Sequence, residues 1–118
     1  MQPDDPDRAY VWDMLNACRE IIDFAEGAEA DTFAHDLMRR RAIERELEIL
    51  GEAAKRLSVD FRERHQDVPW SQIIALRNIL AHEYGEIRID AIWLVVSRRV
   101  PELMAQIEPL IDTGEDAG

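Results

Sequence analysis

The chain has 118 residues, 14 of them Lys or Arg against 25 Asp or Glu, which leaves a net charge of −11. That length supports one domain around one core, and so acidic a balance argues against nucleic-acid binding of any kind, because phosphate binding leaves a basic footprint. Five glycines and five prolines among many Ala, Leu, Ile, Glu and Arg favour an all-α fold, and a single cysteine excludes an internal disulfide.

The first helix is expected from about Arg8 to Ala25, where Val11, Met14, Leu15, Cys18, Ile21, Ile22 and Ala25 recur at helical steps. Cys18 sits in that stripe and reads as a small core hydrophobe. Gly27 should end the helix, with Asp31 or Thr32 capping the next. A long second helix is expected from about Phe33 to Leu57, with Leu37, Ile43, Leu47, Leu50, Ala54 and Leu57 as its stripe and a Glu52–Arg56 pair on its surface. Gly51 interrupts that helix at a cost of ~1 kcal/mol against Ala, which a close helix–helix crossing would justify.

Residues 58–68 read as a connector, with one possible turn at 60–64. Pro69 suits the first turn of a third helix running from Trp70 to about Tyr84, and Gly85 should stop it. Asp90 is the expected cap of a fourth helix whose apolar side includes Ile92, Trp93, Val96, Val100, Leu103, Met104, Ile107 and Leu110. Pro101 falls inside that pattern and should kink or split it, because proline lacks an N–H and clashes with the preceding turn. The whole chain, 1–118, therefore reads as a single antiparallel bundle of four to five helices, with flexible ends at 1–7 and 112–118. The acidic N-terminus lacks the regions of a signal peptide, and the longest apolar run, 91–96, is too short to span a bilayer. A cytoplasmic protein without membrane contact is expected.

The candidate chemistry lies near the end of the third helix, in Arg77-Asn78-Ile79-Leu80-Ala81-His82-Glu83-Tyr84. At ~100° per residue, Arg77 and Tyr84 fall nearly on one line, Asn78 stands one turn below His82, and Arg77 and His82 are ~140° apart. Ile73, Leu76 and Leu80 occupy the adjoining, core-facing arc. Arginine can grip a phosphate through two N–H groups, an imidazole can move a proton near neutral pH, and an amide can orient either. The same residues also suit a solvated helix face with an anchoring aromatic. The basic clusters Arg39-Arg40-Arg41, Arg45, Arg62, Arg64, Arg98 and Arg99 read as solvated faces paired with nearby acids, and Lys55 is the chain's one lysine. His35 and His65 are expected at the surface, and Trp70 and Trp93 in the core or an interface rather than as base-stacking platforms. His82, Glu83 and Glu86 make no convincing metal set.

Gly51-Glu52-Ala53-Ala54-Lys55-Arg56-Leu57, then Val68-Pro69-Trp70, then Arg77-Asn78 with His82 and Tyr84, then Ile89-Asp90-Ala91-Ile92-Trp93 together resemble the HepT-like branch of the HEPN superfamily. The resemblance runs from about Tyr10 to Leu110, with the segments in the family order and spacing. It implies a helical bundle acting as the toxin of a type VII-like toxin–antitoxin system, a metal-independent endoribonuclease that cuts tRNA or mRNA and leaves DNA alone. The family's R-x4-H pair falls on Arg77 and His82, its intervening polar position on Asn78 and its tyrosine on Tyr84. A homodimer is implied, with the two sites near the interface, as is a minimal nucleotidyltransferase antitoxin that attaches AMP to Tyr84. No cofactor is implied. The competing expectation is a non-catalytic nucleotide-binding or scaffold subunit of a nucleotidyltransferase complex. It requires Arg77 and His82 to be paired off by local acids, whereas catalysis requires them exposed and convergent.

Overall fold

The computed structural model describes residues 5–82 and 85–117, with side chains described through Ile111. Every regular element among them is helical. α1 spans Pro6–Ala25, α2 Ala30–His35, α3 Leu37–Arg56, α4 Val59–Arg64, α5 Trp70–Ile74, α6 Leu76–His82 and α7 Gly85–Leu94; a π-helical turn at Val95–Arg99 leads into α8, Val100–Ala117. α1 is the central helix, packed against both α3 and α8, while α5 and α6 also lie against α3. No helix among the described residues is long and apolar enough to cross a membrane.

The expected stripes form the core except at Leu37, which is exposed in the first turn of α3, just past the break at Asp36. Val11, Met14, Leu15, Cys18 and Ile21 of α1 close against Ile43, Leu47, Leu50 and Ala54 of α3 and against Val100, Leu103, Ile107 and Ile111 of α8, all buried. A buried Val, Leu, Ile or Met contributes roughly 1.5–3 kcal/mol relative to exposure, so these stripes outweigh any single surface contact. α1 starts earlier than the periodicity suggests. The Asp5 side chain caps it by accepting from the Asp7 N–H, and proline occupies the first helical position. Asp7, placed in a flexible end by the sequence, accepts from both the N–H and the hydroxyl of Ser58, at 2.8 and 2.7 Å. That clamp joins the start of α1 to the start of α4, which Ser58 itself caps through the Phe61 N–H. At the other end the α8 backbone runs helical to Ala117, through the stretch where flexibility was expected.

Several boundaries differ from expectation for local reasons. The long second helix is two helices, because Asp36 turns out of the helical region and its carboxylate caps α3 at the Arg39 N–H. α2 is capped by neither Asp31 nor Thr32. Glu29 holds the cap position, and the Thr32 hydroxyl accepts from the Glu29 N–H. The connector does form a turn of helix, α4. The third helix is tightened at Ala75, which stays helical in φ and ψ while its N–H reaches the Ser71 and Ile73 carbonyls. Gly27 and Gly85 have φ of +81° and +64°, the left-handed region that glycine enters at little cost. α7 begins at Gly85, so Asp90 lies inside a helix instead of capping one. The break near Pro101 takes the form of the π turn immediately before it. The Val100 N–H bonds to the Val95 carbonyl, a five-residue step that widens the helix ahead of the ring that would crowd an ordinary turn.

Candidate active site

The site is built where α6 crosses α3, and Gly51 is what permits the crossing. A Cβ at that position would stand 3.3 Å from the Ile73 carbonyl oxygen and 3.4 Å from Cγ of Arg77. Hydrogen in place of a side chain thus lets the backbones approach and lets the Arg77 stem lie across α3, the close crossing that the glycine's position implied. The guanidinium then reaches Glu52, with Nη1 of Arg77 3.5 Å from Oε2. Glu52 was expected to pair with Arg56 along its own helix; it turns instead to the arginine of the neighbouring one. The two side chains are 48% and 42% exposed, so the pair is open to solvent. An exposed pair of this kind is worth about 0–1 kcal/mol, small enough for a phosphate to compete with it.

Arg77, Asn78 and His82 line one cleft of about 570 Å³, together with Lys55, Ser71, Ile74, Ala75 and Ala81. All three motif residues are exposed. Among the described residues that line this cleft there are two fixed cations, an imidazole, an amide and a hydroxyl, and no carboxylate. In a chain of net charge −11 that is a local inversion of sign. A second cleft of about 530 Å³ lies on the other side of Arg77, and its lining mixes Arg45, Arg56 and Tyr10 with Asp13, Glu48 and Glu52. Arg77 and Ala81 border both, so the guanidinium stands on the ridge between a basic cleft and a mixed one.

The remaining expected site residue, Tyr84, lies outside the described residues, as does Glu83. Among the described residues no group of three or more His, Cys, Asp or Glu is arranged to hold a metal ion. His35 is exposed and its Nδ1 lies 2.9 Å from the Asp31 carbonyl oxygen. His65 departs from expectation: it is partly buried against Phe61, with ring centroids 4.5 Å apart. Burial, then the nearby Arg64 charge, lowers its pKa, with Asp67 opposing. Trp70 is a core residue whose indole N–H donates to the His65 carbonyl at 2.9 Å, and Trp93 is half-buried against Phe33. The arginine triplet is held locally: Arg39 pairs with Asp36, Arg40 donates to the Ala34 carbonyl, and Arg41 pairs with Glu44. Glu44 is largely buried and also takes Arg88, tying α3 to α7.

Two residues of the site escaped the sequence reading. Lys55 and Glu52 both come from α3, more than twenty positions before Arg77, and nothing local to the motif announces them. Lys55 follows Gly51 by four residues, so the two share a helix face. That spacing, joined to the inference that Gly51 marks a crossing, was the available signal.

The family profile described as Ribonuclease HepT-like matches residues 14–110. The chain is 36% identical over 101 residues to the protein named "Putative RNase MJ1380" of Methanocaldococcus jannaschii, covering 86% of this chain and 93% of that one. A second protein of the same organism, "Putative RNase MJ0127", is 38% identical over 111 residues, 92% of each chain. "Probable ribonuclease HepT" of Thermococcus cleftensis is 31% identical over 101 residues, covering 86% of this chain and 92% of that protein. No solved structure matches the chain. The all-α bundle, the motif segments in order and a profile match over most of the length agree, and the chain belongs to the HepT-like ribonuclease family.

Proposed function

We propose that the protein is a metal-independent endoribonuclease and the toxin of a toxin–antitoxin pair. The observation that carries this reading is the shared cleft in which Arg77, Asn78 and His82 meet Lys55 with no described carboxylate in the lining. RNA supplies its own nucleophile, so the protein needs only a proton acceptor and a phosphate clamp. His82 takes the proton of the 2′-hydroxyl as its oxygen attacks phosphorus. A 2′-O–P bond forms, the P–O5′ bond breaks, and the 5′-oxygen takes a proton from water or from the His82 imidazolium, leaving a 2′,3′-cyclic phosphate and a 5′-hydroxyl. Arg77 stabilises the charge that builds on the non-bridging oxygens, and Asn78 orients the imidazole or one of those oxygens.

A homodimer completes the site, since one short helix offers few groups around an RNA strand. Ile87 and Leu94, seven positions apart on α7, are both exposed and give that helix an apolar face next to the motif, which supports burial against a second copy. The antitoxin in this reading is a minimal nucleotidyltransferase that places AMP on Tyr84, adding bulk and negative charge beside Arg77.

One observation favours the second reading, a non-catalytic subunit: Arg77 does have an acid beside it, Glu52. The experiment that separates them is cleavage of single-stranded RNA by wild-type, Arg77→Ala and His82→Ala proteins. Both variants should lose cleavage and growth inhibition with helical content unchanged, and wild-type cleavage should persist in EDTA and fail on DNA. A variant that still cuts refutes these assignments, and loss of cleavage with chelator refutes the metal-independent step. Co-expression with the nucleotidyltransferase should add one AMP mass to the peptide containing Tyr84, absent in Tyr84→Phe. Neutralisation without that mass would show that the partner acts by binding alone.

A further inference from the structure

We propose that Lys55 is a substrate-binding residue, holding the RNA phosphate that neighbours the scissile one, a role that rests on the ribonuclease reading above. Lys55 is the chain's one lysine and is exposed. It enters from α3, whereas every other described residue lining the cleft comes from α5, α6 or the Ala75 junction between them. Gly51 meets Ile73 and Arg77, and Lys55, one helical turn further along α3, lines the same cleft as Ser71, Arg77, Asn78 and His82. The crossing of α3 over α5 and α6 thus brings into one cleft a cation from one helix and the motif residues from another.

The cleft gathers more positive or proton-bearing groups than one phosphate requires. Its sign contrasts with the adjoining cleft, where Asp13, Glu48 and Glu52 mix with the arginines. The basic cleft is lined by three cationic or titratable groups and no described carboxylate, with Glu52 beside Arg77 at its edge; the lining of the other sets three carboxylates against three arginines. An RNA strand thus follows the cleft that holds Lys55 and Ser71 beside Arg77. Lys55 is well suited to this position because an ammonium on a flexible stem binds phosphate as a point charge, without the fixed fork of Arg77. An ammonium that stays protonated near neutral pH clamps charge and does not shuttle the proton, so its contribution falls on binding.

The test is Lys55→Gln and Lys55→Arg, assayed with a short fluorescein-labelled single-stranded RNA of mixed sequence. Lys55→Gln should raise KM roughly tenfold, as expected for losing one charge-assisted contact, with kcat falling far less, and Lys55→Arg should restore most of the loss. In the His82→Ala background, anisotropy titrations should show the same weakening, and the slope of log affinity against log salt should fall by about 0.7, the value for one phosphate of a single strand. An unchanged KM and salt slope in Lys55→Gln, with His82→Ala still inactive, overturns the role of Lys55 and leaves the ribonuclease reading standing. Wild-type protein that neither binds nor cuts the RNA overturns both.

Discussion

Nη1 of Arg77 lies 3.5 Å from Oε2 of Glu52, so the one guanidinium of the motif is tied to a carboxylate on the helix it crosses. The pair does two opposing things. It holds the arginine over Gly51 at the mouth of the basic cleft, and it sets a negative charge where a phosphate would have to approach. Because both partners are nearly half exposed, the pair is weak, and removing the carboxylate's charge leaves the guanidinium with its full positive charge towards an incoming anion.

Glu52→Gln should therefore tighten the binding of single-stranded RNA, by about twofold to fivefold at low salt, while changing stability by less than ~1 kcal/mol. Anisotropy titration and thermal unfolding read the two quantities separately. Weaker binding with unchanged stability would show that Glu52 serves chiefly to aim Arg77.

Gly51 offers a steric test. Alanine there gains ~1 kcal/mol of helix propensity but sets a methyl 3.3 Å from the Ile73 carbonyl and 3.4 Å from the Arg77 stem, so stability should stay within ~1 kcal/mol of wild type. RNA cleavage should fall nonetheless, because the flexible contact that yields is Arg77. Leucine cannot be accommodated and should cost more than ~2 kcal/mol, by forcing the helices apart. Chemical denaturation beside an activity assay distinguishes the two substitutions.

Cys18 is buried in the α1 stripe, and burial pushes its thiol up to about 12. The thiolate is the reactive form, so native protein at pH 8 should resist a maleimide or a disulfide reagent over the time in which the unfolded chain reacts fully. Rapid labelling of the folded protein would mean that α1 opens locally.

Glu46 carries the pH dependence. Burial, then a hydrogen bond that its protonated carboxyl donates to Glu20 and the Glu20 charge, raises its pKa from 4.5 to about 7, with Arg45 pulling the other way. A raised folded-state value means that the native state binds more protons than the unfolded one. The stability this contributes is complete below about 4.5 and is lost as pH rises through about 7. Wild type should accordingly lose stability between those values, and Glu46→Gln should flatten that part of the profile. A melting-temperature series against pH shows whether it does.

If α7 packs against a second copy, Ile87→Glu should convert the protein to monomer at micromolar concentration and reduce RNA cleavage with it, since the exposed apolar face would then carry a charge. Light scattering settles the first effect. A wild-type monomer under the same conditions would count against the dimer.

Much of the architecture was legible because it follows periodicity. The stripes Val11–Ile21 and Ile43–Ala54 could be read directly, and Gly51 correctly implied a crossing. The break at Asp36 was missed because a capping residue inside a continuous apolar pattern looks like any other polar position. Ala75 gives no local signal at all, being the best helix former. Gly85 was read as a stop when it is also a start, which displaced the expected cap at Asp90. Within the site, Arg77, Asn78 and His82 were legible as a local pattern and do share a cleft, whereas Glu52 and Lys55 depend on a contact between distant segments that no window of sequence contains.

The π turn at Val95–Arg99 has a consequence for how this region can change length. An ordinary helix advances ~100° per residue, so one additional residue in a turn rotates everything beyond it by nearly a third of a circle relative to everything before. α7, which lies against α2 and α6, and α8, which lies against α1, thereby aim their apolar sides at different neighbours without a loop between them. Deleting one residue from 95–99 would restore a regular helix and swing Val100, Leu103 and Ile107 out of phase with α1. Point substitutions in that turn should be absorbed far more readily than any change of length.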